Sequence, residues 1–258
     1  MPRFAANTAW LFTEEPFLER FRAAREAGFA GVEFRSPYEH PAAEVAAALR
    51  SEGLACVLFN LPMGDAARGD VGFACRPGRE AEFRESVARA VEYARAIRPE
   101  RINCIAGRIL PGEDRALLEA ILAENLAHAA QALRPLGVAL LLEPINDRDT
   151  PGFLLPRQDD GARVIAAVGD PTLGLQCDLY HVAMAGDDPV AMLERHRAIV
   201  RHVQFADAPG RGEPGTGTVP LQAAFDALDR ADYPGWVSAE YKPTRATRET
   251  LGWMRASP

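Results

Sequence analysis

The sequence predicts an α/β fold: one (β/α)8 barrel, a TIM barrel, spanning residues 1–258 as a single domain. Three observations predict it. Eight short apolar runs alternate with longer helical patterns, and their starts lie 24 to 46 residues apart, which suits one strand plus one helix per unit. Gly and Pro cluster at 62–72, 144–156 and 209–220, each time after such a run. The long loops therefore gather at the C-terminal ends of strands, the catalytic face of a barrel. An open doubly wound sheet would usually offer a Gly-rich nucleotide loop after its first strand, and residues 7–12 contain no glycine.

The predicted strands are 4–7, 31–34, 55–60, 101–106, 139–143, 173–178, 202–206 and 237–240. After the first, Thr13 fits an N-cap, Pro16 a first turn, and Phe17, Phe21 and Ala24 line one face before a stop at Gly28. After the third, Phe83, Val87, Val91 and Ala94 recur at helical spacing. After the fourth, Leu118, Leu122, Leu126 and Leu133 do so in a longer helix. Phe225 and Leu228 mark the last helix, which Tyr-Pro-Gly at 233–235 ends before the eighth strand.

Composition narrows the function classes. The chain is 48% hydrophobic and 25% charged, ordinary for a globular protein, and its net charge of −7 argues against a broad nucleic-acid footprint. A small anionic substrate remains compatible, since one local Arg or Lys can hold a carboxylate. The opening MPRFAANTAW does not read as a signal peptide, and no run is long enough for a membrane span. Cys56, Cys75, Cys104 and Cys177 form no C-x-x-C pair and read as reduced, buried thiols of a cytoplasmic protein.

Four strands end on a polar residue. ALLLEP ends at Glu143, LGLQCD at Asp178, HVQFA carries Gln204 and WVSAEY carries Glu240. Strands of a parallel barrel are buried on both faces, so a charge there is costly unless it is paired or metal-bound. Three carboxylates and one amide oxygen from four consecutive strands form a hard oxygen set, suited to Mg²⁺ or Mn²⁺. His181, three residues past Asp178, faces the same mouth and can orient a substrate oxygen or shuttle a proton. His202 reads as a deeper, supporting or core residue. All basic residues but one are Arg. The exception, Lys242, lies two positions after Glu240 and is expected on the same strand face, against a substrate carboxylate or enolate oxygen.

The segments RFAAN, LFTEEPFLERFRAAREAGFAGVEF, FNLPMGD, RPGRE, EPIN, DTPGFLL, LQCDLYH, HVQFADAPGR and AEYKP resemble the hydroxypyruvate isomerase family, among the xylose isomerase-like barrels, over almost the whole chain. The resemblance implies interconversion of hydroxypyruvate and tartronate semialdehyde, with functional glutamates at Glu143 and Glu240. Relatives that isomerise 2-oxo-tetronate imply a divalent metal at Glu143, Asp178, Gln204 and Glu240. Arg211 remains as a carboxylate clamp, while Gly212 and Thr218 depart from the family's PGRHEP and GE pattern. The alternatives are a 2-oxo-tetronate isomerase, a keto-sugar epimerase or isomerase, a nuclease of the same superfamily, and a binder without activity. Oligomeric state stays open.

Overall fold

In the computed structural model, which describes residues 2–255, every predicted strand forms. The strands are β1 (Arg3–Asn7), β2 (Gly31–Phe34), β3 (Ala55–Asn60), β4 (Arg101–Cys104), β5 (Ala139–Leu142), β6 (Leu173–Asp178), β7 (Val200–Phe205) and β8 (Trp236–Ala239). They pair in parallel in chain order, and β8 returns to β1, closing the barrel. The helices are α1 (Glu19–Glu26), α2 (Ala42–Ser51), α3 (Glu80–Ile97), α4 (Arg115–Leu133), α5 (Gln158–Val168), α6 (Leu179–Met184), α7 (Pro189–His196) and α8 (Leu221–Arg230). No helix among the described residues is long and apolar enough to cross a membrane.

The helices are held by their apolar stripes. On α4, Leu118, Leu122, Leu126 and Leu133 are all buried, each worth roughly 1.5–3 kcal/mol relative to an exposed position. Asp114 caps that helix, its Oδ1 accepting the Ala116 N–H at 2.9 Å. The helix start expected at Thr13 does not form. The Leu11 N–H instead bonds to the Asn7 carbonyl at 2.9 Å, residues 8–17 run as turns and coil, and α1 begins at Glu19. That turn carries Trp10 into the barrel mouth. Gly28 does end α1, at φ 101°.

Inside the barrel, Ala5, Val57, Leu58, Leu141 and Trp236 form a small apolar cluster separate from the helix-packed core. A Cβ on Gly31 would stand 2.7 Å from Val57 Cγ2 and 2.9 Å from the Trp236 ring, so the close approach needs glycine. The rest of the interior is polar: Asn7, Glu33, Asn103, Gln176, His202, Gln204 and Ser238 are all buried. The register shifts between Val32 and Glu33 and between Leu175 and Gln176. Such irregularities re-aim side chains next to sites. All four cysteines are free and buried, and burial raises each thiol's pKa where a shift is resolved, including Cys56 and Cys177.

Candidate active site

A cavity of about 310 Å³ opens at the C-terminal mouth, and Glu143, His181, Gln204, Arg211 and Glu240 line it. Glu143 stands one residue past β5, where Pro144 can no longer donate to the ladder. Its Oε2 accepts the Asn103 Nδ2–H at 2.8 Å. Burial, then repulsion from Asp178, pushes its pKa up to about 8, against the pull of Arg211 and Asn103. Glu240 stands one residue past β8. Its Oε1 accepts from Asn7 Nδ2 at 2.9 Å and its Oε2 from Arg211 Nη2 at 2.8 Å. Burial raises its pKa well above the usual carboxyl range despite Arg211, with Asp178 and Glu143 adding to the rise.

Asp178 ends β6 and caps α6, its Oδ1 accepting the Tyr180 N–H at 2.9 Å. Its Oδ2 accepts from Arg211 Nη2 at 3.0 Å. One guanidinium therefore bridges two site carboxylates, and its ring partners are Tyr180 at 4.6 Å and Trp10 at 5.0 Å. The loop that carries Arg211 is folded around Asp207, which collects the N–H groups of Gly215, Gly217 and Val219 at 2.7–3.0 Å. Gly212, where the sequence departs from the resemblance, has Thr216 Oγ1 only 2.4 Å from where a Cβ would stand.

His181 Nδ1 lies 2.6 Å from Asn146 Nδ2. The Asn146 amide is oriented by the Arg148 and Asp149 N–H groups on its Oδ1, so Nδ2 donates, Nδ1 accepts and the imidazole proton sits on Nε2. Nε2 faces Asp178 Oδ2 at 3.5 Å. Arg211 Nη1 approaches the same nitrogen at 3.4 Å, too long to outweigh the shorter bond. Burial lowers the His181 pKa to about 4, so the ring is neutral near pH 7.

Glu143, Asp178 and His181 each offer one atom within 4.8 Å of the others, a spacing that fits a metal ion. The carboxylate oxygens suit a hard divalent cation. His181, protonated on Nε2, offers this cluster a donor instead. Gln204 lies at the same mouth with its Nε2 bonded to Glu33 Oε1 at 2.6 Å and its Oε1 taking the Gln176 Nε2–H at 2.7 Å. One Oε1 lone pair is left over.

Lys242 departs from expectation. It lies three residues beyond the end of β8, so strand alternation no longer sets its direction. The side chain is exposed and does not line the cavity, and the backbone N–H bonds to the Arg211 carbonyl at 2.7 Å. His202 bonds to the buried Glu33 at 2.6 Å, consistent with its reading as a deeper residue. Glu33, Asn7, Asn103 and Gln176 were not singled out from the sequence. The signal was present, since Asn7 ends a strand and Glu33 interrupts the apolar GVEF, as the four chosen residues do in their own strands. Arg35, just after β2, also lines the cavity, and its guanidinium has no bonding partner among the described residues.

The family model for xylose isomerase-like TIM barrels matches residues 21–257. A 2-oxo-tetronate isomerase from Cupriavidus necator is 46% identical over 99% of this chain and 98% of its own. A hydroxypyruvate isomerase from Escherichia coli is 42% identical over 98% of both. A crystal structure from Brucella melitensis, named AP endonuclease, family 2, superposes with a TM-score of 0.96 at 41% identity, covering 99% of this chain and 98% of that one. An Escherichia coli 3-keto-D-glucoside 4-epimerase at 22% identity, TM-score 0.81, shares the fold. The chain belongs to the xylose isomerase-like TIM barrel family, in the group that includes the hydroxypyruvate and 2-oxo-tetronate isomerases.

Proposed function

We propose that this chain isomerises a small 2-oxo acid, hydroxypyruvate to 2-hydroxy-3-oxopropanoate (tartronate semialdehyde). The observation that carries the reading is the pair Glu143 and Glu240: the first buried, the second mostly so, both with raised pKa, from strands on different sides of one mouth. A carboxyl whose pKa lies near neutrality can both take and return a proton.

The reaction moves one proton between adjacent carbons and a second between their oxygens. A glutamate carboxylate removes the first from the hydroxymethyl carbon, and the C–H electrons form the carbon–carbon double bond of an enediolate as charge passes to the carbonyl oxygen. The other glutamate, as its acid, protonates the former carbonyl carbon, and the terminal hydroxyl passes its proton to the oxyanion on that carbon, so that the terminal carbon becomes the aldehyde and its neighbour carries the new hydroxyl. Arg211 stands beside the developing charge, and His181 Nε2–H is a donor for a substrate oxygen. Arg35, a cation without an internal partner, suits the substrate carboxylate better than Lys242 does. Arg211 is already shared between two carboxylates.

Glu143, Asp178, Gln204 and Glu240 would hold the divalent cation, Mg²⁺ or Mn²⁺. Its chemistry there is Lewis-acid stabilisation of the enediolate oxygens. The second substrate reading is 2-oxo-tetronate, favoured by the Cupriavidus necator relative. It carries the same carboxylate, carbonyl and neighbouring hydroxyl carbon with one hydroxymethyl more.

The test is an isomerisation assay on both acids, before and after chelation and with Mg²⁺ or Mn²⁺ restored, in deuterated water. Turnover of one acid with solvent deuterium in the product is expected. Transfer without exchange would point to a hydride shift. A chain that isomerises neither acid but cleaves abasic DNA would sink the proposal in favour of the activity named for the Brucella melitensis protein.

A further inference from the structure

Glu33 is fully buried, and the proposed reaction gives it no task. A carboxylate inside a barrel is tolerated only when donors surround it. Its donors are His202 Nε2 on Oε2 at 2.6 Å, Gln204 Nε2 on Oε1 at 2.6 Å and Asn7 Nδ2 on Oε1 at 2.8 Å. Two of these lead on to the site. Asn7 Nδ2 also donates to Glu240 Oε1 at 2.9 Å, while its Oδ1 takes the Ala9 N–H at 3.0 Å, so this amide cannot turn over without losing bonds. Gln204 lines the cavity with its oxygen end directed away from Glu33.

We propose that Glu33 is a positioning residue: its carboxylate decides which end of the Gln204 amide faces the cavity and, through Asn7, where the Glu240 carboxyl rests. The proposal rests on the reading of this cluster as the active site. The two ends of a Gln amide are almost the same size, so packing alone cannot choose between them. A carboxylate offers only lone pairs, so the NH₂ must face Glu33 and the oxygen must face away. A neutral amide at position 33 would donate as well as accept. Gln204 could then turn and present N–H in place of a lone pair. The register shift at Val32–Glu33 is the backbone feature that accompanies this placement.

The test compares the full-length wild type, Glu33→Gln, Gln204→Ala and the double variant, each shown to be folded by circular dichroism. Mn²⁺ affinity is read from the paramagnetic resonance signal of free Mn²⁺, and kcat and KM are measured for the 2-oxo acid. Glu33→Gln is expected to weaken Mn²⁺ binding about 10-fold or more and to lower kcat more than it changes KM. In the Gln204→Ala background the same change should alter Mn²⁺ affinity by a smaller factor than in the wild type, since only the Asn7–Glu240 route then remains. A purely structural Glu33 would lower Tm and affect both backgrounds equally, which overturns the proposal. So does a folded Glu33→Gln with Mn²⁺ affinity and kcat within about two-fold of wild type.

If Glu33→Gln does not fold, Glu33→Asp keeps the charge but withdraws it by one methylene, and it is read in the same way. Wild type that binds no Mn²⁺ overturns the Gln204 half, leaving kcat to judge the Asn7–Glu240 half. Wild type that binds Mn²⁺ but isomerises neither acid overturns the reaction, while the Mn²⁺ titrations still decide Glu33.

Discussion

At the scale of single residues, the site gives similar groups different tasks through their surroundings. Glu143 and Glu240 are the carboxyls whose pKa burial raises, while Asp178 is tied to a helix N-terminus and to Arg211. Glu143→Gln and Glu240→Gln should each lower kcat about 10²–10⁴-fold, the usual worth of a general acid or base. Deuterium exchange between substrate and solvent, measured without net turnover, should vanish in whichever variant lost the base. If both variants keep kcat within a few-fold, the acid–base assignment is wrong. Arg35 predicts a different signature. Arg35→Gln should raise KM for the acid about ten-fold with little change in kcat, since a carboxylate held equally in ground and transition states contributes to binding alone. Dihydroxyacetone, which lacks the carboxylate, should be insensitive to the same change. An equal effect on both substrates would remove Arg35 from carboxylate recognition.

At the scale of elements, the loop after β7 makes the prediction. Gly217 packs so closely that a Cβ would stand 2.0 Å from the Ala208 carbonyl oxygen and 2.6 Å from Asp207 Oδ1. Backbone cannot yield there as a side-chain tip would. Gly217→Ala should therefore shift the loop and with it Arg211, lowering kcat/KM on the order of 10- to 100-fold, because small misplacements at a site are expensive. Unchanged kcat/KM would show that the loop's geometry is not what aims Arg211. This loop also marks the limit of what the sequence discloses. The strands were legible because parallel strands buried on both faces must be apolar runs, and Glu143, Asp178, Gln204 and Glu240 stood out against them. Glu33 broke the same rule in mid-run and was passed over because only strand ends were weighed. Lys242 was misread because alternation was extended past the end of β8. Thr13 looked like a cap, but the Asn7–Leu11 turn takes its place, and a tertiary contact of that kind leaves no periodicity to read. The collection of backbone N–H groups by Asp207 is equally invisible, since it depends on backbone direction and not on residue pattern.

At the scale of the whole molecule, the polar interior makes stability depend on pH in a stated direction. A carboxyl whose folded pKa lies above its unfolded value binds its proton more tightly when folded. Its contribution is fully present below the unfolded value and is lost as pH rises through the folded one. For Glu143 that window runs from 4.5 to about 8, and Glu240 shifts the same way. Glu33 shifts oppositely: burial pushes it up, but the attraction and bond of His202, with the bond of Gln204, outweigh that and hold it low. Its own contribution is present above 4.5 and is lost only as pH falls through its lowered value, so it is constant over the Glu143 window. His181, whose folded pKa is lowered to about 4, adds stability as pH rises from there to 6.5 and nothing further above it, so with chelator present the Tm should fall between pH 6.5 and pH 8. The slope is at most about 1.4 kcal/mol per pH unit for each shifted carboxyl, or a few degrees per unit in a chain of this size. Glu143→Gln, which cannot ionise, should flatten the slope. Saturating Mn²⁺ should reverse it, because a cation replaces the protons and binds the ionised carboxylates more tightly as pH rises. Differential scanning calorimetry across that range decides the matter. A Tm that rises from pH 6.5 to pH 8 in chelator would mean that the glutamate pair is ionised throughout, with Arg211 sufficient to hold its charge.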